Sequence, residues 1–169
     1  MRFLIAYYSR SGNNKKLALE LAKHLSCDSE EIIDLTNRQG WLGIIGAGMA
    51  GALKKETKIK EPEKSPDLYD GLIICSPHWA GNLPPAPRVY LKKFAPQIKN
   101  IVFCSVCAGG DDGGNNQSVK EIEQITHKKH IIKMLIKTAN FKKDNYQQDV
   151  EKILSTLRAG FGHLKGGAL

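Results

Sequence analysis

The sequence predicts an α/β fold: a doubly wound, three-layer domain in which a five-stranded parallel sheet is covered by helices on both faces. Three observations carry this reading. Short apolar runs alternate with segments of helical periodicity along the whole chain. Several of these runs are continuously apolar, as strands buried on both faces must be. The loops after the first, third and fourth runs are unusual in composition, and in such a sheet all three leave the same edge, where ligands bind. The length of 169 residues suits one compact domain.

Phe3 to Tyr8 (FLIAYY) reads as the first strand. A polar turn follows, Ser9 to Asn14. Lys15 to Leu25 then has helical spacing, with Leu17, Leu21 and Leu25 on one stripe and Ala18 and Ala22 beside it. Glu31 to Leu35 (EIIDL) is a second, weaker strand, and Trp41 to Lys55 reads as a helix with small residues on one side. Lys58 to Asp67 is polar, contains Pro62 and Pro66, and reads as a surface loop. Gly71 to Cys75 (GLIIC) is the third strand, Pro77 to Pro87 a Pro/Gly/Asn loop, Val89 to Phe94 a helix, and Ile101 to Val106 the fourth strand.

A Gly- and Asn-rich stretch, Ala108 to Asn116, leads into a helix around Val119 to Thr126. Ile131 to Ile136 is the fifth strand, although its IIKMLIK pattern also suits a helix. In the last helix, Asn145 to Arg158, Tyr146, Val150, Ile153, Leu154 and Leu157 share a face. The domain is therefore expected to span residues 1–158, with 159–169 a flexible C-terminal tail. There is no internal repeat and no linker that would split it.

Hydrophobic residues make up 41% and charged residues 25%, enough for a real core and a soluble surface. The first apolar run is too short for a signal sequence, and no small-residue cleavage site follows it. The longest apolar stretch, Trp41 to Leu53, is far short of the roughly 18 residues a membrane span needs. A cytoplasmic protein without a membrane anchor is expected. The net charge of +8 comes from scattered lysines, which suits solvated helix faces and can also attract an anionic cofactor or an acidic protein. No aromatic and basic residues interleave as single-strand nucleic-acid binding requires.

The chain has four cysteines: Cys27, Cys75, Cys104 and Cys107. Without an export signal, free thiols are the expectation. Cys104 and Cys107 form a C-x-x-C, but they end an apolar run, and positions three apart on a strand face opposite ways. No second such pair supports a zinc site. No metal site is expected.

Ser9-Arg10-Ser11-Gly12-Asn13-Asn14 lies between a buried strand and a helix start. Unpaired backbone N–H groups and the helix dipole make such an end an anion site. Ser9, Ser11 and Asn14 add side-chain donors, and Gly12 lets the backbone approach closely. A plain N-cap accounts for one such side chain, not for a run of small polar donors around a glycine. The Walker pattern is excluded because no Gly-Lys-Ser/Thr ends the loop. Gly46 to Gly51 (GAGMAG) fits the spacing of the dinucleotide fingerprint, but the polar, Pro-broken segment after it lacks the required strand ending in an acid. Close helix packing is the better account of those glycines.

These segments resemble the flavodoxin-like family of FMN proteins from Arg2 to about Leu157. The marks are YYSRSGNN after the first strand, CSPHWAGNLPPAPRVYL after the third and CAGGDDGG after the fourth. The family's first loop runs Ser/Thr-x-Ser/Thr-Gly-x-Ser/Thr; Ser9, Ser11 and Gly12 match it, and Asn14 replaces the last hydroxyl, with an amide that can still donate. The resemblance implies the strand order 2-1-3-4-5 and FMN as cofactor. It places the phosphate at Ser9 to Asn14. It places the ring against Ser76, Pro77, His78, Trp79, Ala80, Gly81 and Asn82, and against Cys107, Ala108, Gly109 and Gly110. The residues agree with this independently: a flavin needs an apolar wall, which Trp79 supplies, and close backbone approach, which Gly109 and Gly110 allow. His78 reads as a solvated loop residue or as a proton donor near the ring.

The activity implied is that of an FMN-dependent oxidoreductase, carrying electrons from NAD(P)H to a quinone or similar acceptor. The alternatives are a flavodoxin-type electron carrier, which would dock an acidic redox protein, and a cofactor-free interaction module. The basic charge suits an anionic nicotinamide nucleotide, since carriers of this family tend to be acidic. No side chain is required as a nucleophile, so no catalytic residue is assigned. The resemblance is compatible with a homodimer.

Overall fold

A computed structural model describes residues 1–36, 57–79, 81–107, 117–129, 131–142 and 146–161. The expected helix at Trp41 to Lys55, with its glycine motif, lies outside the described residues, as does the stretch Ala108 to Asn116. The elements are β1 (Phe3–Tyr7), α1 (Asn13–Leu25), β2 (Asp28–Glu31), β3 (Gly71–Cys75), α2 (Pro85–Phe94), β4 (Ile101–Cys107), α3 (Gln117–Thr126), β5 (Ile132–Lys137), α4 (Thr138–Lys142) and α5 (Gln147–Gly160). The strands form one sheet in the order β2-β1-β3-β4-β5. Every pairing is parallel.

Alternation along β1 divides the interior into two cores. Phe3, Ile5 and Tyr7 face one side, where they meet Leu17, Ala18 and Leu21 of α1 and Val150, Ile153, Leu154 and Leu157 of α5. Leu4, Ala6 and Tyr8 face the other, against Ala86, Tyr90, Leu91 and Phe94 of α2 and Ile122 of α3. These two cores give the three layers that the sequence predicts. Among the described residues no helix is long and apolar enough to cross a membrane.

Most elements match the sequence reading to within one or two residues, and four differ in ways that have a physical reason. β2 occupies Asp28–Glu31 rather than Glu31 to Leu35. It pairs only with β1, so it needs no apolar faces, and its charged residues protect a sheet edge. Only Ile32 of the apolar segment is buried, its N–H donating to the Tyr7 carbonyl at 2.7 Å; Ile33 and Leu35 are exposed. α2 begins at Pro85, because Pro85 and Pro87 fall in the first turn, where no intrahelical N–H bond is lost. The short α4 follows β5 directly and has no counterpart in the sequence reading. α5 continues through Gly160, and the Phe161 ring packs edge-on against Phe3 at 5.5 Å, so residues 159–161 belong to the fold rather than to a tail.

α1 ends in a left-handed Ser26 (φ 46°), whose N–H donates to Lys23 O, while Cys27 N–H donates to Ala22 O at 3.1 Å. This closure satisfies the last helical carbonyls and turns the chain into β2. At the start of β3, a Cβ on Gly71 would meet the Phe3 ring at 2.8 Å, so only glycine allows that pairing without moving the ring.

Two substitutions measure the cores. Leu17→Ala, at a fully buried position, is expected to lower unfolding free energy by about 2–5 kcal/mol in denaturant titration. Tyr90→Phe removes a buried hydroxyl that has no hydrogen-bond partner; the same titration should show stability unchanged or raised.

Candidate functional site

The sheet register brings the ends of three strands together. Tyr7 of β1 lies beside Cys75 of β3, and Cys75 beside Cys104 of β4. The loops that follow these strands therefore leave one edge of the sheet.

The first loop delivers the chain into α1 through Gly12, which is left-handed (φ 85°) and is the helix N-cap. A side chain there would be strained, although no atom would obstruct it. No side chain caps this helix, and its first turn holds no acid. The first i to i−4 bond is Lys16 N–H to Gly12 O at 2.9 Å, which leaves the N–H groups of Asn13, Asn14 and Lys15 without intrahelical acceptors. Lys15 pairs with Glu31 at 3.1 Å, and the Lys16 ammonium lies 4.7 Å from the Tyr146 ring centre. Two lysines in the first turn oppose the helix dipole, so this helix start is arranged to be electropositive at some loss of stability. The Ser9 hydroxyl oxygen is buried and has no hydrogen-bond partner among the described residues. Arg10 and Ser11 are exposed, and Asn13 is half-buried.

Asn14 departs from the expected role. Its side chain is buried, its Nδ2 donates to Val106 O at 3.3 Å, and its Oδ1 accepts from Val106 N–H at 2.9 Å. The β4 groups that face β3 belong to alternate residues: Leu72 N–H donates to Asn100 O and Ser76 N–H to Cys104 O. Val106 is next in that series, where β3 has ended, and the Asn14 amide completes the ladder. Its side chain thus fastens α1 to β4, so of the donors expected from Asn14 only its backbone N–H stays free of intrahelical bonding.

In the second loop, Ser76 is fully buried and its hydroxyl donates to Pro77 O at 2.9 Å. Pro77 and His78 are half-buried. Trp79 and Asn82 exchange backbone hydrogen bonds, Trp79 N–H to Asn82 O at 2.8 Å and Asn82 N–H to Trp79 O at 3.0 Å. Gly81, inside this turn, has φ 79°, a conformation that favours glycine. The Trp79 ring meets Tyr8 edge-on at 5.8 Å, which joins the second loop to the first. Cys107, buried at the end of β4, starts the third loop; Ala80, Ala108, Gly109 and Gly110 lie outside the described residues.

Beneath the second loop is a polar cluster that no local sequence pattern indicates. Arg88 and Glu121, 2% and 3% exposed, form a buried ion pair through Arg88 Nε and Glu121 Oε1. Glu121 Oε2 accepts from Leu83 N–H at 3.1 Å, and Arg88 Nη2 donates to Leu83 O at 2.8 Å. The Ser118 hydroxyl donates to Gly81 O at 2.8 Å. The only sequence signal was a lone arginine in the largely apolar stretch Leu83 to Leu91.

The cysteines are all free. Cys75 and Cys104 are neighbours in the core; the hydrogen bond to Cys104 and burial push the Cys75 thiol well above its usual range, so it stays protonated and unreactive. Burial pushes Cys27 up to about 11. β4 carries both Cys104 and Cys107. Among the described residues no cluster of His, Cys, Asp and Glu could hold a metal.

Solved structures share this architecture. A flavoprotein from Lactobacillus acidophilus NCFM in complex with FMN aligns with a TM-score of 0.61 and 17% identity, over 86% of this chain and 98% of its own. A provisionally named flavoprotein from Bacteroides eggerthii DSM 20697 aligns with a TM-score of 0.63 and 15% identity, over 84% and 94%. The chain has the flavodoxin-like fold. The Trp repressor binding protein from Bacillus subtilis also shares it, with a TM-score of 0.54 and 13% identity over 89% and 95%. No protein-family model and no curated protein matches the sequence, so the likeness is one of structure.

Asn14→Leu would leave Val106 N–H and C=O buried and unpaired in this flavodoxin-like sheet. The expected result is a loss of about 2–4 kcal/mol in denaturant unfolding, with hydrogen exchange at the end of β4 accelerated.

Proposed function

We propose that the chain binds FMN at the carboxyl edge of its sheet and works as an oxidoreductase, taking electrons from NAD(P)H and passing them to a quinone or similar acceptor. The observation that carries the binding reading is the buried, unpartnered Ser9 hydroxyl beside an uncapped helix start without acids. A buried hydroxyl without a partner requires an explanation, and beside an uncapped helix start a bound anion supplies one. The FMN held by the Lactobacillus flavoprotein supports the choice of anion, because that structure shares the fold over most of both chains.

In this reading Ser9 and the first-turn N–H groups of α1 hold the phosphate, and Gly12 keeps side-chain bulk away from it. Trp79, braced by Tyr8, forms an apolar wall that excludes water from one side of the ring. Backbone N–H groups of the second loop stabilise negative charge at the ring edge. When bound, FMN supplies the redox chemistry, accepting a hydride and returning electrons to an acceptor. The chain's part is to bind, orient and exclude water.

The enzyme reading is favoured over an electron carrier because carriers that meet basic partners are acidic, whereas this chain has a net charge of +8, which suits an anionic nicotinamide nucleotide. An acidic redox protein is the partner that the carrier reading would require. The open Ser9 donor argues against a cofactor-free module.

Purified protein should be yellow, or should quench FMN fluorescence on titration; colourless protein that leaves added FMN free would sink the binding reading. NADH or NADPH oxidation that depends on both FMN and a quinone is the expected activity, whereas its absence in FMN-loaded protein favours the carrier. Ser9→Ala should weaken FMN about tenfold or more while leaving riboflavin, which lacks the phosphate, unaffected. Equal losses for the two flavins would show that Ser9 does not meet the phosphate.

A further inference from the structure

We propose that Ser118, Glu121 and Arg88 are positioning residues that set the conformation of the ring loop, and with it flavin affinity. The inference rests on the FMN reading above. Ser118 and Glu121 are three residues apart on α3 and so project from one face of the helix. Both reach backbone of the loop rather than side chains. Ser118 holds Gly81 O at 2.8 Å, inside the tight turn. Glu121 holds Leu83 N–H at 3.1 Å, one residue beyond the turn. Arg88 on α2 takes the Leu83 carbonyl at 2.8 Å and neutralises Glu121. Both backbone groups of Leu83 are therefore held by a single buried ion pair.

Chemistry favours a positioning role over a purely stabilising one. An apolar pair of similar volume commonly replaces a buried ion pair with no loss of stability. What an apolar pair lacks is a donor and an acceptor at fixed points on a loop. Fixing Gly81 and Leu83 also fixes the turn between Trp79 and Asn82, and thus the angle of the Trp79 ring against Tyr8. Small displacements of such supporting groups are enough to loosen a binding site.

The test uses the full-length chain and two variants, Ser118→Ala and Glu121→Gln, titrated with FMN, riboflavin and inorganic phosphate at temperatures where circular dichroism shows each folded. Both variants should weaken FMN and riboflavin by the same factor, about tenfold, with phosphate affinity unchanged and the visible spectrum of the bound flavin shifted. Glu121→Gln strands a buried Arg88 charge; should it fail to fold, Ser118→Ala decides alone. Wild-type affinity for both flavins in Ser118→Ala overturns the proposal, even with a lowered melting temperature, because the cluster would then be structural only. A larger loss for FMN than for riboflavin also overturns it, placing the disturbance at the phosphate. Wild-type protein that ignores FMN removes the underlying reading, a result distinct from either.

Discussion

The central strands bury both of their faces, and the rest of the molecule follows from that constraint. β1 has no solvent side: its alternate residues enter two separate cores. A strand of this kind needs helices on both faces, so the chain must cross over one face or the other between strands and re-enter the sheet in the same direction. Parallel re-entry puts every carboxyl end at one edge. Because β1, β3 and β4 are neighbours, their carboxyl ends lie side by side there. The site is thus a consequence of core burial before any ligand is considered.

Polar groups at this edge have two fates. Asn14, Ser76, Arg88, Ser118 and Glu121 hydrogen-bond to backbone that the sheet and helices leave unpaired. Ser9 does not, and neither do the first-turn N–H groups of α1 have a side-chain cap. Folded chains pair buried polar groups wherever geometry permits. Among the described residues of this loop, the Ser9 hydroxyl is the buried side-chain group left open.

Some of this was legible in the sequence and some was not, for physical reasons. Gly71 to Cys75 is read correctly end to end because a strand buried on both faces must be apolar throughout. β2 escapes the same rule: an edge strand of sequence DSEE pairs through its backbone and carries no apolar signal. The first loop announces its donors by composition, but which donors turn inward depends on the position of α1 relative to β4. The Asn14–Val106 contact spans 92 positions, and no local spacing rule reaches that far. The Arg88–Glu121 pair, 33 positions apart, is hidden for the same reason. The Gly- and Asn-rich composition after β4 marks a loop without indicating its shape.

The distribution of left-handed residues shows how the fold tolerates such an edge. Among the described glycines, Gly12 and Gly81 have positive φ, and both lie in candidate ligand loops. Among the described residues, the non-glycine residues with positive φ, Ser26 and His127, follow the carboxyl ends of α1 and α3, where a left-handed residue closes a helix. α1 carries both kinds of end. Its final turn is closed by backbone bonds at Ser26 and Cys27, whereas its first turn is uncapped, lacks acids and begins Asn-Asn-Lys-Lys. An isolated helix with that start would be marginal. Burial of Leu17, Ala18 and Leu21 offsets the deficit, so the helix holds although its first turn is uncapped.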